Sequence, residues 1–580
     1  MRWFLHFVSF LVLGIFLTAR LAAAETDLIL HNGKVVTVDS RFSIQQALAV
    51  RDGRLAQVGK DRDVLKLKGP RTELIDLQGR MVVPGLMDSH THPTSASMTE
   101  FDHPIPEMES MRDVLDYIAG RAKLAPPGDW IVVQQVFITR LREQRYPTRA
   151  ELDAAAPQNP VMFRTGPDAS LNSLALKLSG IDRHFKVSDG GAGFVEKDAT
   201  TGEPTGILRN CSRFVPAKSS VREASAEEKR QRLVELFRDY NSVGLTTIGD
   251  RDASVSAIDL YKDLRARKQL SVRVAISQDV PSIGDLAKIQ EGIRKIGADP
   301  LYKERDDWLR IIGIKTFLDG GMLTGSAYMQ KPWGVSDIYA ITDPAYRGVL
   351  FIPKDRLRAM VRTTVESGLQ FTAHSVGDGA VQALLDVYGE LSQELPVRAT
   401  RPCITHANFQ TRETVQTAAR LGVVMDIQPA WLYLDTRTLM KQFGYDRLRW
   451  FQPLRSLARA GVTVGGGSDH MQKIGSFRAI NPYNPFLAMQ TAITRKARWY
   501  EGKLHPEESL NREQALRMYT INNARLLFCE ETRGSLEAGK LADFAVLDTD
   551  LLKCPEERIS ATRVLRTYVG GKLVYEAGAP

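Results

Sequence analysis

The chain has 580 residues, 43% of them hydrophobic and 25% charged, with a formal net charge of +9 at pH 7. That length and balance exclude disordered and fibrous classes and leave room for a large core in more than one folding unit. No run of Lys and Arg is interleaved with aromatics, so the positive charge reads as a solubility feature and nucleic acid is not an expected partner.

Residues 1–24 begin with Arg2, continue through the apolar stretch WFLHFVSFLVLGIFLT and end in an Ala-x-Ala site at Ala24. The segment reads as a cleaved secretory signal, which would make the protein periplasmic or secreted with no stable membrane insertion afterwards. The rival reading is an uncleaved N-terminal anchor. Four scattered cysteines without a CxxC pair argue against zinc-finger and redox roles, while export leaves one disulfide open.

From 26 to 80 the chain reads as short strands: DLILHNGKVVTVD, ALAVRDGRLAQVG and TELIDLQGR. The Asn-Gly of HNGK and the Asp-Gly of RDGR are hairpin signals. The C-terminus, GSLEAGKLADFAVLDTD followed by VLRTYVGGKLVYEAG, has the same texture. The expectation is a small β-sandwich assembled from both termini (25–82 and 525–580). Between them, eight short apolar runs alternate with amphipathic stretches: MVVPGLMD, GLTTIGD, SVRVAISQD, LRIIGIKTF, LQFTAHS, RPCITHA, GVVMDIQPA and VTVGGGSD. Strands buried on both faces look like this, and eight of them with helices between predict a (β/α)8 TIM barrel over 83–524. A long stretch after the first strand, about 95–240, reads as a lobe inserted over the barrel mouth. Pro84 and Gly85 read as the join from sandwich to barrel.

Chemistry in such barrels gathers at the C-terminal strand ends. There the expected strands carry His90 and His92, Lys315, His374, His406 and Asp469. The i, i+2 spacing puts His90 and His92 on one side of an extended chain, and imidazole and carboxylate suit Zn²⁺ or a similar ion. An isolated His-x-His is a weak signal; four histidines and an aspartate at separate strand ends are not.

The motifs PGLMDSHTH, IKTFLDGG, TAHSVGDGAV, ITHANFQ and GGGSDH, with LNSLAL and GEPTGIL in the insertion, resemble the amidohydrolase superfamily of metal-dependent hydrolases, in its amidohydrolase-3 (YtcJ-like) branch. The similarity spans nearly the whole chain after residue 24. It implies one or two divalent ions, zinc foremost, with His90 and His92 on one ion and His374 and His406 on the other. Lys315 would bridge them as a CO2-derived carbamate; in a one-metal site it would be a plain lysine. Asp469 would touch a metal and move the proton of the attacking water. The implied reaction is hydrolysis of an amide-like C–N bond in a small molecule such as an N-acyl or N-formyl amine or a cyclic amide. Deamination or ester and lactone cleavage could use the same centre, and a catalytically silent exported binding protein is the non-enzymatic alternative. A homo-oligomer is compatible with all of these.

Residues expected to face substrate are Asp168, Asn172, Trp333 and Asp378, the last three with a structural alternative: helix cap or turn for Asn172 and Asp378, packing for Trp333. Asp168 stands where the branch usually has a histidine, and Arg209-Asn210 where an acidic residue usually follows GEPTGIL. Met322 and Tyr328 fall in the loop after the fourth strand. His470 reads as a rim residue, and His103 receives no role.

Overall fold

The computed structural model describes residues 25–578 apart from 135, 219–221 and 305. The expected signal segment, 1–24, lies outside the described residues. Among the described residues, no helix is long and apolar enough to cross a membrane.

The centre of the molecule is an eight-stranded parallel sheet, numbered β1 (Leu86–Thr91), β2 (Leu245–Ala253), β3 (Arg273–Asp279), β4 (Leu309–Phe317), β5 (Gln370–Ser375), β6 (Cys403–His406), β7 (Val424–Ile427) and β8 (Thr463–Gly466). Each of the eight apolar runs supplies one strand. Helices such as Lys354–Glu366 and Asp378–Leu391 cover the outside with faces of Leu, Met and Val. β8 and β1 meet at the mouth, where the Asp469 N–H donates to His90 O (2.8 Å) and the His92 N–H to His470 O (2.8 Å). The Asp88 carboxylate reinforces this seam, accepting from the His90 and Ser468 amides at 2.9 and 3.0 Å. The barrel is thus stitched shut at the level where His90, His92 and Asp469 emerge.

Two further sheets are built from the chain ends. A four-stranded sheet comes from 28–76 alone, and a six-stranded sheet joins Met81–Pro84, Lys34–Val36 and Ile44–Gln45 to Phe544–Leu547, Val564–Val569 and Lys572–Glu576. Leu28, Leu30, Val50 and Val82 pack there against Leu536, Phe544, Val546 and Tyr568. The RDGR hairpin forms as expected, with Asp52 and Gly53 both left-handed (φ 51° and 72°) and Arg51 paired with Arg54. HNGK does not form a hairpin. Asn32 is left-handed (φ 56°) and Gly33 is not, so the two-residue turn that needs both is unavailable. The chain instead crosses from one sheet to the other, because Leu28–His31 and Lys34–Val36 lie in different sheets.

MVVPGLMD likewise divides between two sheets, Met81–Pro84 ending one strand and β1 starting at Leu86. Gly85 sits between them, its N–H donating to Asp543 O (2.9 Å). A Cβ at this position would stand 2.2 Å from Thr246 Oγ1. Thr246 is buried and β-branched, with little freedom to turn away. Gly85→Ala is expected to destabilise the protein by about 1–3 kcal/mol through overpacking. Denaturant unfolding measures this; an unchanged midpoint would contradict the close approach.

The insertion between β1 and β2 holds a five-stranded mixed sheet, with strand order Phe194–Lys197, Pro204–Arg209, Asp168–Leu171, Val161–Thr165, Ile131–Gln134. It is latched onto the barrel by buried charges. Arg140 makes a two-pronged contact with Asp435 (3.2 and 3.0 Å), and Arg209 donates to the carbonyls of Thr324 (2.6 Å) and Tyr339. All four cysteines are free thiols, so no disulfide contributes.

Candidate metal centre and active site

His90, His92, Lys315, His374, His406 and Asp469 all line one cavity of about 870 Å³ between the barrel mouth and the insertion. The ligand atoms of His90, His406 and Asp469 lie within 4.8 Å of one another. His90 Nε2 is 3.2 Å from His92 Nε2, and Asp469 Oδ1 is 3.3 Å from the first and 3.0 Å from the second. The His374 and His406 rings are 4.5 Å apart, centre to centre, and the Lys315 ammonium sits 4.2 Å from the centre of the Phe317 ring.

The orientation of these rings is set from β7. Asp426 and Gln428 occupy alternate positions of an otherwise apolar run and are fully buried. His90 Nδ1–H donates to Asp426 Oδ1 (3.1 Å), and His406 Nδ1–H donates to Gln428 Oε1 (2.8 Å). Gln428 Nε2–H then donates to Asp426 Oδ1 (3.2 Å), which ties the two supports together. With Nδ1 protonated, each neutral ring turns an Nε2 lone pair toward the cavity. Arg251, buried in the barrel interior, lies 3.6 Å from Asp426 Oδ2 and keeps a countercharge beside it.

The electrostatics favour neutral, ligating imidazoles. Burial pushes His90 and His406 well below the ordinary histidine range, and neighbouring positive groups add to it. Burial, helped by Lys315, brings His374 down to about 3. His92 differs: burial opposes its charge, but the Asp469 carboxylate outweighs this and pushes it up. Burial raises Asp469 against the pull of His92. Asn481 Nδ2–H fixes that carboxylate, donating to Asp469 Oδ2 (3.1 Å) and to the main-chain O (2.7 Å), which leaves Oδ1 facing the histidines. His406 and Asp469 are both left-handed (φ 73° and 56°), a costly conformation for non-glycine residues that is held at the strand ends where the side chains converge.

This donor set fits a divalent cation. Two imidazole lone pairs and a carboxylate oxygen converge on one point, and the rings are oriented from behind by hydrogen bonds of the kind that hold metal-binding histidines. Asp426→Asn should weaken divalent-metal affinity by about 10- to 100-fold with little change in fold. Competition against a chromophoric chelator reads this directly, and an unchanged affinity would remove Asp426 from the site.

None of the four residues expected to face substrate lines the cavity. Asp168 is buried between the insertion and the loop after β4, accepting from the Asn210 amide (2.8 Å) and Ser326 Oγ (2.6 Å). Asn172 caps helix Ser173–Leu178 and bridges Val161 N and Asn159 O. Trp333 is buried against Tyr339 and Phe443 with its indole N–H on Ala327 O (2.8 Å). Asp378 opens helix Asp378–Leu391 and accepts from the Gln330 amide (2.8 Å). For Asn172, Trp333 and Asp378 the structural alternative describes where each one sits. Met322 does line the cavity and Tyr328 does not. His470 is not at the rim: it is fully buried, with Tyr240 OH 2.7 Å from Nδ1 and the carbonyls of Gln472 and Lys473 at Nε2. His103 turns out to line the cavity, paired with Asp102 and Tyr117.

Sequence reasoning also missed Asp319, in the quoted stretch IKTFLDGG. Its buried carboxylate accepts from the Tyr328, Val376 and Gly377 amides, all at 2.9 Å, and comes within 3.9 Å of His374 Nε2. It joins the loops after β4 and β5 beside that histidine.

The family model described as "Amidohydrolase family" matches residues 73–575. The chain belongs to the amidohydrolase family. An N-substituted formamide deformylase of Arthrobacter pascens is 31% identical over 95% of this amidohydrolase and 98% of its own length. A putative amidohydrolase of Bacillus subtilis, YtcJ, is 26% identical over 94% and 99%. Among solved structures, an uncharacterised metal-dependent hydrolase of Pyrococcus furiosus shares the fold, with a TM-score of 0.64 at 23% identity over 91% of this chain and all of that one. The barrel with its added sheets is therefore an amidohydrolase-family architecture, and the site described above lies at its mouth.

Proposed function

We propose that this amidohydrolase cleaves the C–N bond of a small N-formyl or N-acyl amine, with His90, His92, Lys315, His374, His406 and Asp469 holding one or two divalent ions, zinc foremost. The observation that carries the reading is the pair of supports at the end of β7: the bonds from His90 to Asp426 and from His406 to Gln428, which follows the strand, turn two Nε2 lone pairs toward the Asp469 carboxylate inside a substrate-sized cavity. The 31% identity to a formamide deformylase across nearly the whole chain supports the choice of bond. A bound divalent ion would supply a Lewis acid for the carbonyl and lower the pKa of the attacking water.

The chain's own residues supply the rest. Asp469 Oδ1 takes the proton from the attacking water and returns it to the leaving nitrogen, while Asn481 holds Oδ2 still. Lys315 as an ammonium has no lone pair, so a place between two ions would call for conversion to an anionic carbamate, whereas in a one-metal site it would stay a plain lysine. The N-terminal segment 1–24 supports placing the reaction outside the cytoplasm. A panel of N-formyl amines, N-acyl amines, dipeptides, hydantoins and lactones, offered to the zinc-loaded protein, tests the reading. The formyl and acyl amines should be turned over fastest; turnover of lactones alone would overturn it.

A further inference from the structure

The cavity holds positive groups that the metal centre does not use. Three arginines line it: Arg121, Arg164 and Arg213. Arg213 is held by Asp189 through two contacts, at 2.5 and 2.9 Å, and Arg121 lies 3.7 Å from Asp102. Arg164 has no carboxylate within ion-pair distance among the described residues, and its Nε–H donates to Gly166 O at 3.3 Å.

Arg164 lies on Val161–Thr165, where it pairs with Gln134 of the neighbouring parallel strand Ile131–Gln134. These two strands form the wall of the insertion that faces the barrel mouth, so Arg164 and the histidine cluster look into the same space. Arg164 is reached by water, yet the protein surrounding it is dense enough that burial pushes its pKa down with no acid nearby to oppose the shift. The same cavity also has apolar lining, from Trp130, Val133 and Phe137 on the insertion and Met322 and Phe351 in the loop after β4. An unneutralised guanidinium on the wall of a cavity with apolar surface presents a planar fork of donors that matches a carboxylate.

We infer that Arg164 anchors a carboxylate on the substrate, so that the preferred amides are anionic ones with an apolar side chain, of the N-acyl amino acid type. The inference rests on the proposed C–N hydrolysis for its catalytic readout and on the cavity wall for its binding readout. Arg164 would set specificity, touching the end of the substrate away from the bond that breaks.

N-formylphenylalanine, each enantiomer separately, and N-formylphenethylamine differ only in the carboxylate and form the test pair. One enantiomer of the acid should be hydrolysed with kcat/KM at least ~10-fold above the neutral amide, the size of a charge-assisted contact. In Arg164→Gln that ratio should fall to within about threefold of one, chiefly through KM, and Arg164→Lys should recover part of it. Calorimetric binding of the same compounds to the protein after chelation of metal gives a second readout independent of turnover. Carboxylate-dependent binding that disappears in Arg164→Gln, without hydrolysis of any compound, would sustain the anchor and reject the C–N hydrolase reading. Hydrolysis of the neutral amide at equal or better efficiency, with the ratio unmoved by Arg164→Gln, would overturn the anchor and leave the hydrolase reading intact. Absence of both binding and hydrolysis of the acid would also overturn it.

Discussion

Replacing Asp469 with Asn is expected to lower kcat/KM by about 10²–10⁴ while leaving most of the metal in place, the range for loss of a positioned general acid–base group. The substitution keeps the shape and the contacts to the Asn481 amide but removes the charge and the proton-accepting oxygen at Oδ1. Oδ1 sits 3.0 Å from His92 Nε2 and 3.3 Å from His90 Nε2, at the point where the imidazoles converge, and burial raises its pKa above the ordinary carboxylate value. Steady-state kinetics on the best formyl or acyl amine, together with metal analysis of the variant, separate the two roles. Full turnover would reject Asp469 as the proton carrier. Loss of metal in parallel with activity would make it chiefly a ligand.

The second large effect lies far from the chemistry. Arg273, at the start of β3, grips Asp543 in the C-terminal segment with two bonds of 2.7 and 2.9 Å, both residues being about 97% buried or more. Asp543 also accepts the Gly570 amide (2.7 Å), so the pair joins the foot of the barrel to the terminal sheets. Removing one partner strands a buried charge, and Asp543→Ala should cost about 3–5 kcal/mol. Burial pushes the Asp543 carboxyl up, but Arg273 outweighs it and holds the group below the usual carboxylate range. A folded pKa below the unfolded one means the stabilisation is complete above about pH 4 and is lost as the pH falls through the folded value. The stability gap between wild type and Asp543→Asn should therefore be full at pH 7 and shrink below pH 4. A gap independent of pH would contradict the ionised pair.

The barrel was legible because parallel strands buried on both faces have few alternatives to short Val- and Ile-rich runs, and all eight runs became strands. The six residues singled out for the metal centre came together for a related reason, since each ends or follows such a run on the same edge of the sheet. The supports on β7 were less visible. Asp426 and Gln428 read as ordinary polar interruptions of GVVMDIQPA, and only their register against His90 and His406 across the barrel gives them a purpose. The four residues expected to face substrate lie outside the cavity lining for the opposite reason. Asp168, Asn172, Trp333 and Asp378 sit in strong local motifs, and those motifs serve helix caps, loop anchors and packing. The cavity wall drawn from the insertion depends on which face of a mixed five-stranded sheet turns inward, which short strands with irregular alternation do not declare. HNGK shows a similar limit: a turn signal specifies local geometry, and the sheet in which each flanking strand finds its partner is decided elsewhere.

The central claim is that His90, His92, Lys315, His374, His406 and Asp469 form a divalent-metal site on which hydrolysis depends. Elemental analysis of the purified protein, paired with activity before and after chelation, tests it most directly. The account predicts about one or two equivalents of zinc or another divalent metal per chain, activity lost on chelation and restored by adding the metal back. A protein that contains no divalent metal and hydrolyses its best substrate equally well with chelator present would contradict it.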